Sequence, residues 1–305
     1  FAGGGYVYHG SIDDIRIYNR TLTAAEVAAL YQLESTPDSD SDADGDGFTF
    51  AQEIEAGTDP DSNASTPGPD FGLVTHWKLD GSDAGVQRVG VTTGVDRHLN
   101  RSGATFFPGQ GRVIAHPFNG FPTDAFTISY WERQTSPQAL TRVSYATAVH
   151  ENSFWINNFN VYLLQGTGSF SIPQQTFDPY RWKQVTLSWR SSDGTISVYR
   201  DGVLATSGTH RQGITLPSSG ALALGMDQDD VDQNVTAAIF NQGFVGFLDD
   251  FRLYDRVLTP AQVAELYERE KPAGGQDLQM VVRGRNLHGQ LGQEFDLMEK
   301  TPTVV

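Results

Sequence analysis

Residues 10–34 (GSIDDIRIYNRTLTAAEVAALYQLE) and residues 246–270 (GFLDDFRLYDRVLTPAQVAELYERE) align position for position without a gap. Each copy reads as a short apolar strand, marked by Ile15 and Ile17 or by Phe251 and Leu253, that turns into a helix. The helix starts are written in side-chain chemistry: Thr23 with Glu26, and Thr259 with Gln262, have the spacing of a capping box. Pro260 falls at the first helical position, where its missing N–H costs nothing. Val263, Leu266 and Tyr267 recur at the spacing of one helical stripe. Copies so far apart indicate two large domains of one kind rather than a solenoid of small units. Almost nothing precedes the first copy, so residues 1–33 are expected to be the end of a domain whose body lies outside this chain.

A chain of 305 residues has room for two domains or so. It holds no apolar run long enough to cross a bilayer, and its lack of cysteine excludes disulfides, thiolate catalysis and cysteine zinc sites. The net charge of −16 argues against nucleic acid as a partner, because phosphates need a basic face. Residues 1–70 hold fourteen acids against Arg16 and Arg20, which is −12 of that −16. Such a block is ordinarily a solvated, self-repelling linker.

Spacing changes that reading. In DADGDGFTFAQE, residues 42–53, acids alternate, a glycine follows, and a glutamate closes the run. This is the full D-x-D-x-D-G-x5-E calcium loop. Asp42, Asp44 and Asp46 supply oxygens in sequence, Gly47 makes the sharp turn, and the Phe48 carbonyl and a bidentate Glu53 complete the shell. Phe50 stands at the ninth position, where a side-chain oxygen is usual, which predicts weaker binding. With the following GTDPDSNAS, the stretch from Asp38 to Asp61 resembles the bacterial thrombospondin type 3 repeat, a calcium-stiffened spacer. That resemblance implies that Asp40, Asp59 and Asp61 offer ligands for a second ion. Residues 34–70 are thus expected to be an acidic calcium-binding linker.

From about Phe71 the pattern changes to period-two alternation: Phe126, Ile128 and Tyr130 in FTISYWER, and Val185, Leu187 and Trp189 in QVTLSWR. ISVYRDGVLATSG reads as a hairpin whose Asp201-Gly202 turn needs positive φ at both positions. Many short strands with one closing helix predict an all-β fold, a two-sheet antiparallel sandwich. The order LVTHWKLDG, ATFFPGQGRVI, FTISYWER, RWKQVTLSWR, ISVYRDGVLATSG, LALGMD and the closing GFLDDFRLYDRVLTPAQVAELY resembles the laminin G-like, concanavalin A-like jelly roll of bacterial surface proteins. It covers residues 71–270, about two thirds of the chain. The resemblance implies a secreted or cell-surface location. In residues 271–305, Gly284, Asn286, Gly289-Gln290-Leu291-Gly292 and Pro302 resemble the opening of a regulator-of-chromosome-condensation-type propeller blade. One partial blade cannot bury a core, and a disordered Gly-rich tail is the alternative reading of this end.

Glycoside hydrolases on such sandwiches need two carboxylates flanking the scissile bond, and the Glu-x-Asp-x-Glu spacing of the laminarinase-like families is absent. Glu132 and Glu151 are the only glutamates of residues 71–270 outside the closing helix region; Glu132 is expected at an edge or on the surface. His150-Glu151 lacks the second histidine of a metalloprotease motif, since Phe154 stands there, and no Gly-x-Ser-x-Gly elbow occurs. The expectation is a non-catalytic module that binds a glycan or an extracellular protein, with calcium as cofactor. A structural spacer in an adhesin-like stalk is the alternative, and an accessory domain of a polysaccharide-degrading enzyme the more distant one. Loops at one end of a sandwich usually carry such function. The richest is GMDQDDVDQN, where Asp227, Asp229, Asp230 and Asp232 are expected either to hold a calcium that bridges to sugar hydroxyls or to form a solvated acidic loop. Phe154, Trp155 and Phe159 read as core. Asp249 and Asp250, paired in both copies, are expected to orient a strand end through backbone hydrogen bonds.

Overall fold

A computed structural model describes residues 15, 17–27, 41–137, 140–164, 168–174, 176–228 and 242–272. The chain divides into two compact units at Pro67 and Gly68.

In the first unit, Thr23 and Glu26 form the expected reciprocal cap, with the Thr23 N–H donating to Glu26 Oε2 (2.8 Å) and the Glu26 N–H to Thr23 Oγ1 (3.3 Å). Arg20 closes on Glu26 at 2.8 Å. Ile15 and Ile17, expected in a strand, instead stand 74% and 94% exposed with no strand pairing among the described residues. The acidic loop runs into a short helix, α1 (Phe50–Ala56), which has its own capping box between Thr49 and Gln52 and ends at Gly57 in the left-handed region.

The second unit is the two-sheet antiparallel sandwich. Among the described residues one sheet has eight strands: β1 (Leu73–Trp77), β3 (Thr92–Gly94), β4 (Ala104–Pro108), β6 (Ala125–Gln134), β11 (Lys183–Arg190), β12 (Thr195–Arg200), β13 (Val203–Thr209) and β15 (Val245–Tyr254). Their order is β13-β12-β11-β6-β15-β4-β3, with β1 beside the second half of β15. The other sheet orders β10 (Phe170–Ser171), β9 (Asn160–Leu163), β8 (His150–Asn157), β7 (Thr141–Thr147), β14 (Ser219–Leu224), β5 (Arg112–Asn119) and β2 (Gln87–Val89). All named pairs are antiparallel, as a jelly roll requires.

The alternating residues meet between the sheets. Phe126, Ile128 and Tyr130 of β6, and Val185, Leu187 and Trp189 of β11, pack with Val143, Tyr145, Phe154, Ile156, Leu222 and Leu224 of the facing sheet. Phe121 stacks on Tyr145 at 3.9 Å. Each such side chain contributes about 1.5–3 kcal/mol by leaving water.

The closing helix, α2 (Pro260–Glu270), lies on the outer face of the eight-stranded sheet. Val263 and Leu266 are fully buried against Tyr199, Tyr254 and Leu258. The Thr259–Gln262 cap forms as expected, with Pro260 in the first turn. Tyr267 stacks on Trp131 at 5.8 Å. The hairpin of β12 and β13 turns at Asp201 (φ 50°) and Gly202 (φ 78°), both positive as predicted. A Cβ on Gly202 would come within 2.9 Å of the Tyr267 Cβ, so the helix needs glycine there.

Candidate functional site

The acidic loop adopts a cation-ready shape. One carboxylate oxygen from each of Asp42, Asp44 and Asp46 lies within 4.8 Å of the others. Backbone amides orient them: Asp42 accepts from the Gly45 and Gly47 N–H groups, Asp44 from Asp46, and Asp46 from Phe48. Gly47 takes φ 95°, which an L side chain rarely adopts. Asp44 Oδ2 and Asp46 Oδ2 are buried and make no hydrogen bond among the described residues. Buried polar atoms ordinarily find a partner, and among the described residues neither of these oxygens has one.

Glu53 is 1% exposed and lies outside that three-aspartate group. Its Oε1 accepts from Thr58 Oγ1 at 3.4 Å. Burial, then the charges of Asp46 and Asp44, raise its pKa; burial likewise raises that of Asp46. Phe48, the expected carbonyl donor, is buried to 2%. Asp59 and Asp61 are exposed and joined to each other by the Asp61 N–H (3.2 Å), with no third acid converging on them among the described residues. Asp40 lies outside the described residues.

A second place lies where the chain leaves β14. Met226, Asp227 and Gln228 are 3%, 6% and 1% exposed, pinned across the outer face of the seven-stranded sheet. Ser144 Oγ donates to the Met226 carbonyl at 2.8 Å. The Gln228 amide donates to the Ser144 carbonyl (3.0 Å) and the Ala221 carbonyl (3.1 Å), and its N–H donates to Asp227 Oδ1 (3.0 Å). Gln228 Oε1 is buried with no hydrogen bond among the described residues. Asp229, Asp230 and Asp232 lie outside the described residues, as do residues 283–305.

Three expectations change. Glu132 is neither at an edge nor on the surface: β6 is central, and Glu132 shares the inward row of Ile128 and Tyr130. It is 7% exposed and accepts from Arg142 Nε at 2.9 Å. Trp155 is buried, though on the outer face of its sheet, where it stacks on Tyr162 at 4.8 Å and donates to Thr141 Oγ1. Asp249 and Asp250 act through side chains. Arg97, 4% exposed, forks onto both, binding Asp249 Oδ2 at 2.5 Å and Asp250 Oδ2, and also donates to the Glu270 carbonyl. His76 meets Asp250 at 2.6 Å. Burial pushes Asp249 up to about 8 against the pull of Arg97. Burial works on Asp250 too, but His76 and Arg97 hold it far below the usual carboxylate range. This network clamps β15 to the loop at Arg97 and to the end of α2.

A family model described as "Concanavalin A-like lectin/glucanases superfamily" matches residues 108–264. The chain is 32% identical over 146 residues to "Sushi, von Willebrand factor type A, EGF and pentraxin domain-containing protein 1" of Rattus norvegicus, a match covering 47% of this chain and 4% of that protein. It is 28% identical over 166 residues to Pentraxin-4 of Homo sapiens, covering 51% of this chain and 34% of that one. The chain therefore spans about a third or less of the length of these relatives. Among solved structures, a heptameric SAP-like pentraxin from Limulus polyphemus superposes with a TM-score of 0.45 at 17% identity, over 61% of this chain and 83% of that one. Domain 4 of an extracellular GH43 arabinanase from Geobacillus stearothermophilus, in complex with arabinotriose, gives 0.41 at 20% identity, over 64% and 98%.

Proposed function

The chain belongs to the concanavalin A-like lectin/glucanases superfamily, and from that premise we propose that its sandwich is a non-catalytic, calcium-assisted glycan-binding module of a modular secreted or cell-surface protein. The observation that carries this reading is the pinned turn Met226–Gln228. A buried carboxylate at Asp227 and an orphaned acceptor at Gln228 Oε1 stand together where a loop leaves the sheet. Calcium held there takes oxygen ligands from the protein and completes its shell with sugar hydroxyls. Asp229, Asp230 and Asp232 would add charge to the same loop.

The loop of Asp42, Asp44, Asp46, Phe48 and Glu53 is the second calcium site in this reading. There the ion stiffens the acidic segment by joining three like charges that otherwise repel. No helix among the described residues is long and apolar enough to cross a membrane.

Glu132 favours binding over hydrolysis. A general acid or nucleophile must reach the sugar, whereas the Glu132 carboxylate is closed off by Arg142 and Gln134. A glycan array probed with and without calcium tests the proposal. The expected result is calcium-dependent capture that Asp227→Asn abolishes; an array on which no glycan needs calcium and Asp227 for capture would overturn it, and release of reducing sugar would return the enzyme reading.

A further inference from the structure

A row of side chains crosses four strands on the outer face of the eight-stranded sheet, beyond the end of α2. Register sets it: Phe247 of β15 stands opposite Phe106 of β4 on one side and Arg133 of β6 on the other. Trp182 precedes β11, whose Lys183 pairs with Glu132, and so continues the row past Arg133. Arg133 lies between the rings, with Cζ 4.3 Å from the Phe247 centroid and 5.6 Å from that of Trp182. Phe247 and Phe106 are 4.9 Å apart, and Phe247 and Trp182 6.2 Å. All four side chains are half-buried and reach solvent.

The guanidinium is the informative member. Arg133 Nε is buried and makes no hydrogen bond among the described residues. Burial alone lowers its pKa, with no described carboxylate acting on it. A partly desolvated cation with no counter-charge is costly, and an anion arriving from outside relieves that cost.

We propose that the Trp182–Arg133–Phe247–Phe106 row is a second ligand site, one that takes an acidic saccharide whose uronate carboxylate pairs with Arg133 while flanking sugar rings lie on Trp182 and Phe106. This site is separate from the calcium-assisted one and independent of it. A uronate unit presents an apolar C–H face and, at its rim, a carboxylate, which is the combination the row offers. A peptide docking as an added strand needs a free sheet edge. None exists at this point, because β6 and β15 are both paired on each side. The three strand spacings from Trp182 to Phe106, about 14 Å, match a short oligosaccharide rather than one sugar.

The test is titration of the 305-residue chain in EDTA, following tryptophan fluorescence, with a panel of uronate oligosaccharides. Neutral oligosaccharides of equal length and polyglutamate serve as comparisons. Saturable binding of a uronate is expected, at least about tenfold tighter than its neutral counterpart, as for a charge-assisted hydrogen bond. Arg133→Gln should weaken it by about the same factor without lowering the melting temperature, Arg133→Lys should recover part of the loss, and Trp182→Ala should weaken neutral and acidic sugars alike. The proposal is overturned if no uronate binds in EDTA, if neutral sugars bind equally well, if polyglutamate binds as tightly, or if Arg133→Gln binds as the unmodified chain does. Should a variant fail to fold, the comparison of uronate with neutral sugar on the unmodified chain still decides. Binding seen only with calcium belongs to the Asp227 site and counts against this one.

Discussion

Asp44 and Asp46 each carry a buried oxygen with no donor among the described residues, and in the proposed reading a divalent ion shared between them satisfies both. Glu53→Gln or Asp44→Asn is therefore expected to weaken calcium binding by tenfold or more, about 1.4 kcal/mol, read by calorimetry. Burial raises Asp46 and Glu53 above the ordinary carboxylate pKa, so protons compete with the ion. Calcium affinity should fall as the pH is lowered from about 7 to about 5, since the ligands must be deprotonated. In the sandwich, Arg97→Met would leave Asp249 and Asp250 without their shared cation; breaking a buried pair of this kind costs about 3–5 kcal/mol, measurable as a lower urea midpoint. The convergence of Asp42, Asp44 and Asp46 was legible in the sequence because the three stand at alternate positions of one short loop. The roles of Glu132, Asp249 and Asp250 were not, because their partners Arg142, Arg97 and His76 sit on other strands or loops and only register brings them close.

The elements followed from local chemistry more fully than the contacts between them. Alternation placed Phe126, Ile128 and Tyr130 inward without reference to any neighbour, and the Thr259–Gln262 cap needed only residues three apart. Where α2 docks was not readable. Its surface is assembled from Tyr199, Tyr254 and Leu258, and Trp131 beneath Tyr267 lies more than a hundred residues upstream. Leu266→Ala should cost about 2–5 kcal/mol, because the fully buried site cannot collapse around the missing atoms. Thr259→Ala should cost about 1 kcal/mol through the lost cap. Equal effects of the two in denaturant unfolding would mean that the helix is held by its cap and not by its packing. The Trp182–Phe106 row is a third case. Its members are scattered over residues 106–247, and nothing in their local sequence marks them as one surface.

For the whole molecule, the sandwich and the acidic unit are expected to respond separately. Deleting residues 1–33 should leave the melting temperature of the sandwich within about a degree or two, as for sites without shared partners. Glu53→Gln and Asp227→Asn should each weaken one class of calcium site and leave the other, with additive loss in calorimetry. The two ends of the sandwich also lie together. Arg269 at the end of α2 grips Asp70 through two bonds of 2.8 and 2.9 Å, Arg256 donates to the Phe71 carbonyl, and Leu73 at the start of β1 sits opposite Tyr254 at the end of β15. Tension along the polypeptide would therefore enter and leave at one point. It would strip the Asp70–Arg269 grip and then part β1 from β15 one residue pair at a time, a peeling mode that resists far less than sliding whole strands past one another. Under stretch this sandwich would open early and pay out chain, acting as a shock absorber rather than a strut.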